Sequence, residues 1–491
     1  MVVEDGGPHV LFASAELSPL SRVGGLADAS AGLVAALRRS GVRVTLVIPD
    51  HDGCPQLSGV RERTLSAPVW VGPAVARTGT LDGIGEVTAV SFDGMQRPHP
   101  YNDPETGLGW ADNDRRYLGF SALVAALAAE LRPDVVHLND WHTAAAVAWL
   151  PDDVASLLTV HNLVYQGDCD NTWLRQMGPN APVFAHHDRC NPMAGGIRLA
   201  DRVVAVSPAY AIETRHPSGG AGLHELLRER GSNYLGIRNG IDIDRWDPAT
   251  DPFLPAPFTA EDLSGKRACR EALSELVGLG GRGLDHEPIV GVLSRFVDQK
   301  GIDIACGLAA KLAGIGARMV LMGRGEPHHE AMARQVVAAH PDRVAYLARS
   351  EEELAHVVVG GSDLLVVPSR FEPCGLTPME AMRCGTVPVV NPVGGLRNTV
   401  IDADADRVHG NGFIAPAPDE VGMWLALSRA VRAYNDASRW SAVQRRGMCT
   451  DWSWRVPAEH YRELYDELAL PAAAATDDAF PERVEFVELH R

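Results

Sequence analysis

The sequence predicts two doubly wound α/β units, each built on a parallel sheet. Short apolar runs rich in Val, Ile and Leu alternate with helical patterns, this alternation occurs twice along the chain, and polar clusters fall directly after the apolar runs. Continuous apolar runs suit strands buried on both faces, and strand–helix alternation implies parallel sheets covered by helices. In the first half the expected strands are 10–13, 42–47, 135–137, 157–160 and 203–206, with helices over 26–39 and 116–131. In the second half they are 289–293, 319–322, 344–347, 364–367 and 387–390, with helices near 303–313, 327–340, 352–359 and 418–434. A stretch near 245–285 separates the halves. Asp247-Pro248 and Pro252 open it, and a glycine-rich run over 278–283 closes it. An amphipathic helix is expected over about 456–469, and the tail 471–491 reads as a loosely held end.

Composition narrows the function. At 491 residues, with 46% hydrophobic and 22% charged residues, the chain can form complete cores in two or three domains. A net charge of −18 argues against nucleic acid or an anionic membrane as partner. The eight cysteines show neither a Cys-x-x-Cys pair nor a zinc spacing, which suits reduced thiols and a cytoplasmic location. Met-Val-Val-Glu-Asp-Gly-Gly has no basic leader, and no apolar run reaches the ~18 residues of a membrane span.

The most informative segment is 369–380, Ser-Arg-Phe-Glu-Pro-Cys-Gly-Leu-Thr-Pro-Met-Glu. It joins the expected strand 364–367 to a helical pattern, so Glu372 lies in a strand-to-helix loop and Gly375-Leu376-Thr377 opens the helix. Helix-opening N–H groups are unpaired and partly positive, which suits a diphosphate, while a carboxylate just before them suits sugar hydroxyls. Other polar groups follow other strands, where open α/β sheets bind ligands. Glu16, Arg22, Gly24 and Gly25 follow the first strand; Asn139-Asp140-Trp141-His142 follows the third; His161-Asn162 and Tyr165-Gln166-Gly167 follow the fourth. Arg295 and Lys300 follow strand 289–293, and both suit a phosphate partner.

The spacing of Glu372 and Glu380 resembles the paired-Glu motif of retaining glycosyltransferases with the two-domain GT-B fold, and Phe-Glu-Pro-Cys-Gly-Leu-Thr resembles bacterial glycogen and starch synthases. Arg22-Val23-Gly24-Gly25-Leu26 is similar to the family's Lys-x-Gly-Gly-Leu, Asn239-Gly240-Ile241-Asp242 to its Asn-Gly-Val-Asp, and Arg295 with Lys300 to its Arg-x4-Lys. The resemblance covers about 9–470. It implies two Rossmann-like domains facing a central cleft: 1–245 on the acceptor side, 246–455 on the nucleotide-donor side, and 456–470 as a helix crossing back. It implies Glu372, Arg295, Lys300 and His161 as the catalytic set. Arg22, Gly24, Gly25, Asn162, Asn239, Ser350, Cys374, Gly375, Leu376, Thr377 and Glu380 are implied at the donor, and Glu16, Asp140, Trp141, Tyr165 and Gln166 on the acceptor side. The partners implied are a nucleotide-activated sugar or cyclitol and a saccharide acceptor, with no cofactor and no metal.

Departures from the family pattern fall at Arg22, where the family has Lys, and at Ser350, aligned with its adenine-stacking aromatic. Others are Asn391-Pro392-Val393, Arg397-Asn398 and Glu380. Their grouping leads to an expectation of a specialised, acarbose-type pseudo-glycosyltransferase, with an ADP-glucose-dependent glycogen or starch synthase as the alternative. A sugar-nucleotide epimerase or a non-catalytic carbohydrate-binding protein shares the fold but fits the motifs less well. A dehydrogenase lacks its glycine fingerprint here.

Overall fold

The computed structural model describes residues 7–280 and 286–470. The tail 471–491 and part of the glycine-rich run at 278–283 lie outside the described residues.

The first half builds a nine-stranded sheet. Its strands are β1 (His9–Ala13), β2 (Arg43–Pro49), β3 (Ser58–Leu65), β4 (Ala74–Leu81), β5 (Gly85–Phe92), β6 (Val135–Asn139) and β7 (Ala155–Val160). A separate two-residue hairpin, β8 (Ala185–His186) and β9 (Arg189–Cys190), precedes β10 (Arg202–Ala205) and β11 (Tyr234–Gly236). The order is β11-β10-β7-β6-β1-β2-β5-β4-β3. Pairing is parallel from β11 to β5, but β5–β4 and β4–β3 are antiparallel. The all-parallel expectation therefore needs correction at this edge. Asp82-Gly83 turns the β4–β5 hairpin, with Gly83 at φ +72°, and the edge strand β3 carries exposed Arg61, Glu62 and Arg63. Charges on an unpaired edge discourage further strand addition.

The second half builds a six-stranded, wholly parallel sheet ordered β14-β13-β12-β15-β16-β17. Its members are β12 (Ile289–Leu293), β13 (Arg318–Met322), β14 (Val344–Leu347), β15 (Leu364–Val367), β16 (Val387–Val390) and β17 (Phe413–Ile414). The stretch read as a boundary holds a helix, Ser264–Leu276, whose Cys269 and Leu273 face the core. The helix expected over 303–313 is shorter, Ile302–Ala309, and a 3-10 turn follows at Leu312–Ile315.

The last helix, Arg455–Ala469, packs on the first sheet. Tyr465 Oη lies 2.6 Å from His137 Nδ1, and Tyr461 Oη lies 3.2 Å from Thr159 Oγ1. Gly32 permits this approach, since a Cβ there would lie 2.1 Å from Trp454 Nε1. No helix among the described residues is long and apolar enough to cross a membrane.

Candidate active site

A cleft of about 200 Å³ opens where β12 and β15 run side by side. Neighbouring strands reached by connections on opposite sides leave such a crevice at their carboxyl ends. Ser294, Arg295 and Lys300 line it from the loop after β12. Pro368, Ser369, Glu372, Gly375, Leu376 and Thr377 line it from the loop after β15 and the start of the helix Leu376–Arg383. Val23, Gly24 and Gly25 complete it from the first half of the chain. Gly375 sits at φ +83°, a left-handed conformation that favours glycine, and a Cβ there would meet Leu396 at 2.7 Å.

Glu372 is buried and held from two directions. Lys300 Nζ donates to its Oε2 at 2.6 Å, and Ser369 Oγ donates to the same oxygen at 2.9 Å. Ser369 is anchored in turn, because its carbonyl accepts from Asn391 Nδ2 at 3.0 Å. Arg295 is exposed to the cleft, and its guanidinium makes no hydrogen bond or ion pair among the described residues. The cleft thus presents a free guanidinium, an ammonium with donors to spare, the opening amides of a helix, and one fixed carboxylate. That set can hold a diphosphate at one end and hydroxyls at the other.

The polar residues after β1, β6 and β7 behave differently. Glu16 was placed on the acceptor side, but its Oε2 accepts from the Val23 and Gly24 N–H groups at 2.7 and 3.0 Å. Its Oε1 accepts from Tyr101 Oη at 2.7 Å. Glu16 therefore braces the glycine loop, and burial pushes its carboxyl above the usual range. Asp140 does the same for the next loop, accepting from the His161 and Asn162 N–H groups at 2.7 and 3.3 Å. Burial raises Asp140 to about 7. His161 Nε2 lies 2.9 Å from Asn139 Oδ1, and Asn139 Nδ2 donates to the Ala13 carbonyl. Asn139 can then only accept from His161, which puts the proton on Nε2. Burial lowers His161 to about 3, so the ring is neutral at pH 7. Gln166 donates to the Leu163 and Ala221 carbonyls and accepts from Asn191. Trp141 packs edge-on to Tyr117 and against Gly167, where a Cβ would lie 2.2 Å from the indole. Tyr165 is exposed.

Of the residues implied at the donor, Gly24, Gly25, Gly375, Leu376 and Thr377 line the cleft, whereas Arg22, Asn162, Asn239, Ser350, Cys374 and Glu380 do not. Arg22 pairs with Asp28 at 3.0 Å and Glu352 at 3.2 Å, and Arg245 binds the same two carboxylates. Glu380 lies beside this network. Burial first, then the Asp28 and Glu352 charges, push it up to about 7 against the pull of Arg22 and Arg245. Asn162 Oδ1 accepts from the Val164 N–H at 3.1 Å. Asn239 is buried, and burial pushes the Cys374 thiol up to about 12. Ser350 is exposed, with its N–H on Glu351.

Sequence reasoning missed Ser369, although it stands three residues before Glu372 in the same string. It also missed Asp28, Arg245 and Glu352, which come together only through the fold.

Residues 9–229 match the starch synthase catalytic domain family, and residues 282–444 match glycosyl transferases group 1. A glycogen synthase from Anaeromyxobacter sp. (strain Fw109-5) is 37% identical over 490 residues, covering 94% of this chain and 100% of the relative. One from Alkalilimnicola ehrlichii is 38% identical over 474 residues, covering 93% and 98%. The catalytic domain of Starch Synthase IV from Arabidopsis thaliana, bound to ADP and acarbose, superposes with a TM-score of 0.86 at 33% identity, covering 94% and 99%. A sucrose-phosphate synthase from Thermosynechococcus elongatus, at 19% identity and a TM-score of 0.61, shares the fold.

Proposed function

This chain belongs to the glycogen and starch synthase family of GT-B glycosyltransferases, and on that footing we propose that it extends an α-1,4-glucan from ADP-glucose with retention at the anomeric carbon. The observation that carries the reading is the Lys300–Glu372 pair, 2.6 Å apart, in a cleft that also gathers Arg295 and the opening amides of the helix Leu376–Arg383.

The chemistry follows from the charges. Departure of ADP leaves negative charge on the diphosphate. Arg295 grips phosphate oxygens with two parallel N–H groups, and Lys300 adds a compact charge while still holding Glu372. The Leu376 and Thr377 amides point to the same place from the helix start. Well-placed donors of this kind contribute ~3–4 kcal/mol each to the transition state. Glu372, fixed by Ser369 and Lys300, orients the donor ring through its hydroxyls. His161 enters as a neutral ring with its Nδ1 free to accept. The cations here are side chains, and neither a cofactor nor a metal is assigned a step. The enzyme would act in the cytoplasm, where the nucleotide sugar is made.

The specialised reading, a cyclitol moved to an amino sugar, draws no support from the relatives, whose names are those of glycogen synthases. A different nucleotide remains the second reading because of Ser350, an exposed residue that offers no face for a base. Lost stacking is worth ~1–3 kcal/mol. Transfer to maltoheptaose with ADP-, UDP-, GDP- and dTDP-glucose separates the two. Brisk elongation from ADP-glucose alone supports the proposal, and faster elongation from another donor overturns its nucleotide.

A further inference from the structure

We propose that Asp298, Glu326, His328 and His329 form a tetrahedral site for a borderline divalent cation of the Zn²⁺ type, outside the cleft. The four residues come together where the loop after β12 meets the start of the helix Pro327–Ala339. Two backbone bonds hold these segments together: the Phe296 N–H donates to the Arg324 carbonyl, and the Glu326 N–H to the Phe296 carbonyl, both at 2.8 Å.

The donor atoms converge. His329 Nε2 lies 3.0 Å from Asp298 Oδ1, and His328 Nε2 lies 3.8 Å from the same oxygen. Both Nε2 atoms lie 3.7 Å from Glu326 Oε2. All four atoms fall within 4.8 Å of one another. Hydrogen bonding accounts for only the shortest of these distances, since N–H···O contacts run ~2.7–3.2 Å. A shared ion accounts for all four. Metal–ligand bonds of ~2.0–2.1 Å in a tetrahedron place neighbouring ligand atoms roughly 3.3–3.4 Å apart, and the observed 3.0–3.8 Å brackets that edge.

The ligand chemistry points the same way. Two imidazoles with two carboxylates suit zinc, whereas Mg²⁺ and Ca²⁺ favour oxygen alone. The His329 ring is buried with Nε2 as its one engaged polar atom, while Asp298, Glu326 and His328 are exposed and leave a way in. A second cluster, Asp50, Asp52 and Cys54, makes a poorer site. Asp50 is engaged by the Gly53 N–H and by Arg77, Asp52 by the Cys54 N–H, and burial pushes the Cys54 thiol up to about 12.

The ion would act as a clip. Asp298 opens the turn that ends at Lys300, and its carbonyl accepts from Arg370. Binding ties that turn to the helix start and so steadies Lys300.

The test titrates Co²⁺ into the metal-stripped full chain and follows visible absorption. The expected result is one equivalent bound with the strong visible bands of four-coordinate cobalt, no thiolate charge-transfer band, and displacement by Zn²⁺. His328→Gln, at an exposed position, should weaken binding at least ~100-fold and abolish the rise in Tm that Zn²⁺ gives the parent, with unchanged circular dichroism. Asp298→Asn should do the same. Weak six-coordinate bands, a thiolate band, or binding that survives both substitutions overturns the site.

Discussion

The two sheets present their carboxyl ends to each other, yet the polar side chains there do opposite work. After β1, β6 and β7, Glu16, Asp140 and Gln166 direct their hydrogen bonds to loops of their own half, Glu16 to the glycine loop, Asp140 to the His161 loop and Gln166 to Leu163 and Ala221. After β12 and β15, Arg295 and Lys300 keep donors open to the cleft, and Glu372 is held by side chains alone. A carboxylate that has accepted two or three N–H bonds has little left for a ligand. On the proposed function, one rim is a shaped wall and the other the reacting edge.

Substitutions across the two rims should separate in size. Glu372→Gln and Lys300→Ala should each cut kcat by ~10²–10³-fold, the scale of one lost transition-state donor, with ADP affinity changed only a few-fold for Glu372→Gln. Near-normal turnover in either would erase the distinction. Next comes Arg295→Ala, with kcat/KM down by ~10²-fold and a weaker response to ADP in thermal-shift assays.

Glu16→Gln should act through stability first. The Gln carbonyl can still accept from the Val23 and Gly24 N–H groups, but its NH2 then faces the Tyr101 hydroxyl, which must turn to accept, and the ionised acceptor is lost. At a cost of ~1–3 kcal/mol, Tm should fall by a few degrees with a smaller drop in kcat. A large kcat loss at unchanged Tm would move Glu16 to the reacting edge. Glu380 gives a pH signature. Its native value of about 7 exceeds the ordinary 4.5, so the native state binds more protons between these limits and this group's contribution to stability falls as pH rises through that window. The Tm advantage of Glu380→Gln over the parent should therefore grow from pH 4.5 to 7 and stay level above. The smallest effect is expected at Arg22→Lys. Because Arg22 is occupied by Asp28 and Glu352, ADP affinity should be unchanged, and a tenfold loss would return Arg22 to the donor site.

The reacting edge was legible because its residues are local in sequence. Strand, loop, Glu372 and Gly375 occupy one string, and Arg295 and Lys300 follow a single apolar run. The wall was harder to read. Nothing about Glu16 in a linear chain reveals that its carboxylate will find the Val23 and Gly24 amides and the Tyr101 hydroxyl. The ion pairs of Arg22 were hidden for the same reason, since its partner Glu352 is 330 residues away. The antiparallel β3–β5 edge was missed despite the Asp82-Gly83 turn signal. Its strands carry Arg61, Glu62, Arg63 and Arg77 in place of an unbroken apolar run, which hid them from a search for buried parallel strands. The Asp298/His329 convergence escaped because its ligands straddle β13, with no motif spacing to betray them.

The return of the last helix to the first sheet has a mechanical consequence. The chain passes between the two sheets twice, once beyond Ile241 and once back before Trp454. The Ile241 N–H donates to the Trp452 carbonyl at 2.8 Å, and Arg238 stacks over the Trp452 ring at 5.0 Å. A single tether would let one half swivel about a point. Two crossings bonded to each other restrict that freedom, and further bonds across the halves, from Ser207 Oγ to the Pro373 carbonyl and from the Gly394 N–H to Glu213, add to the restraint.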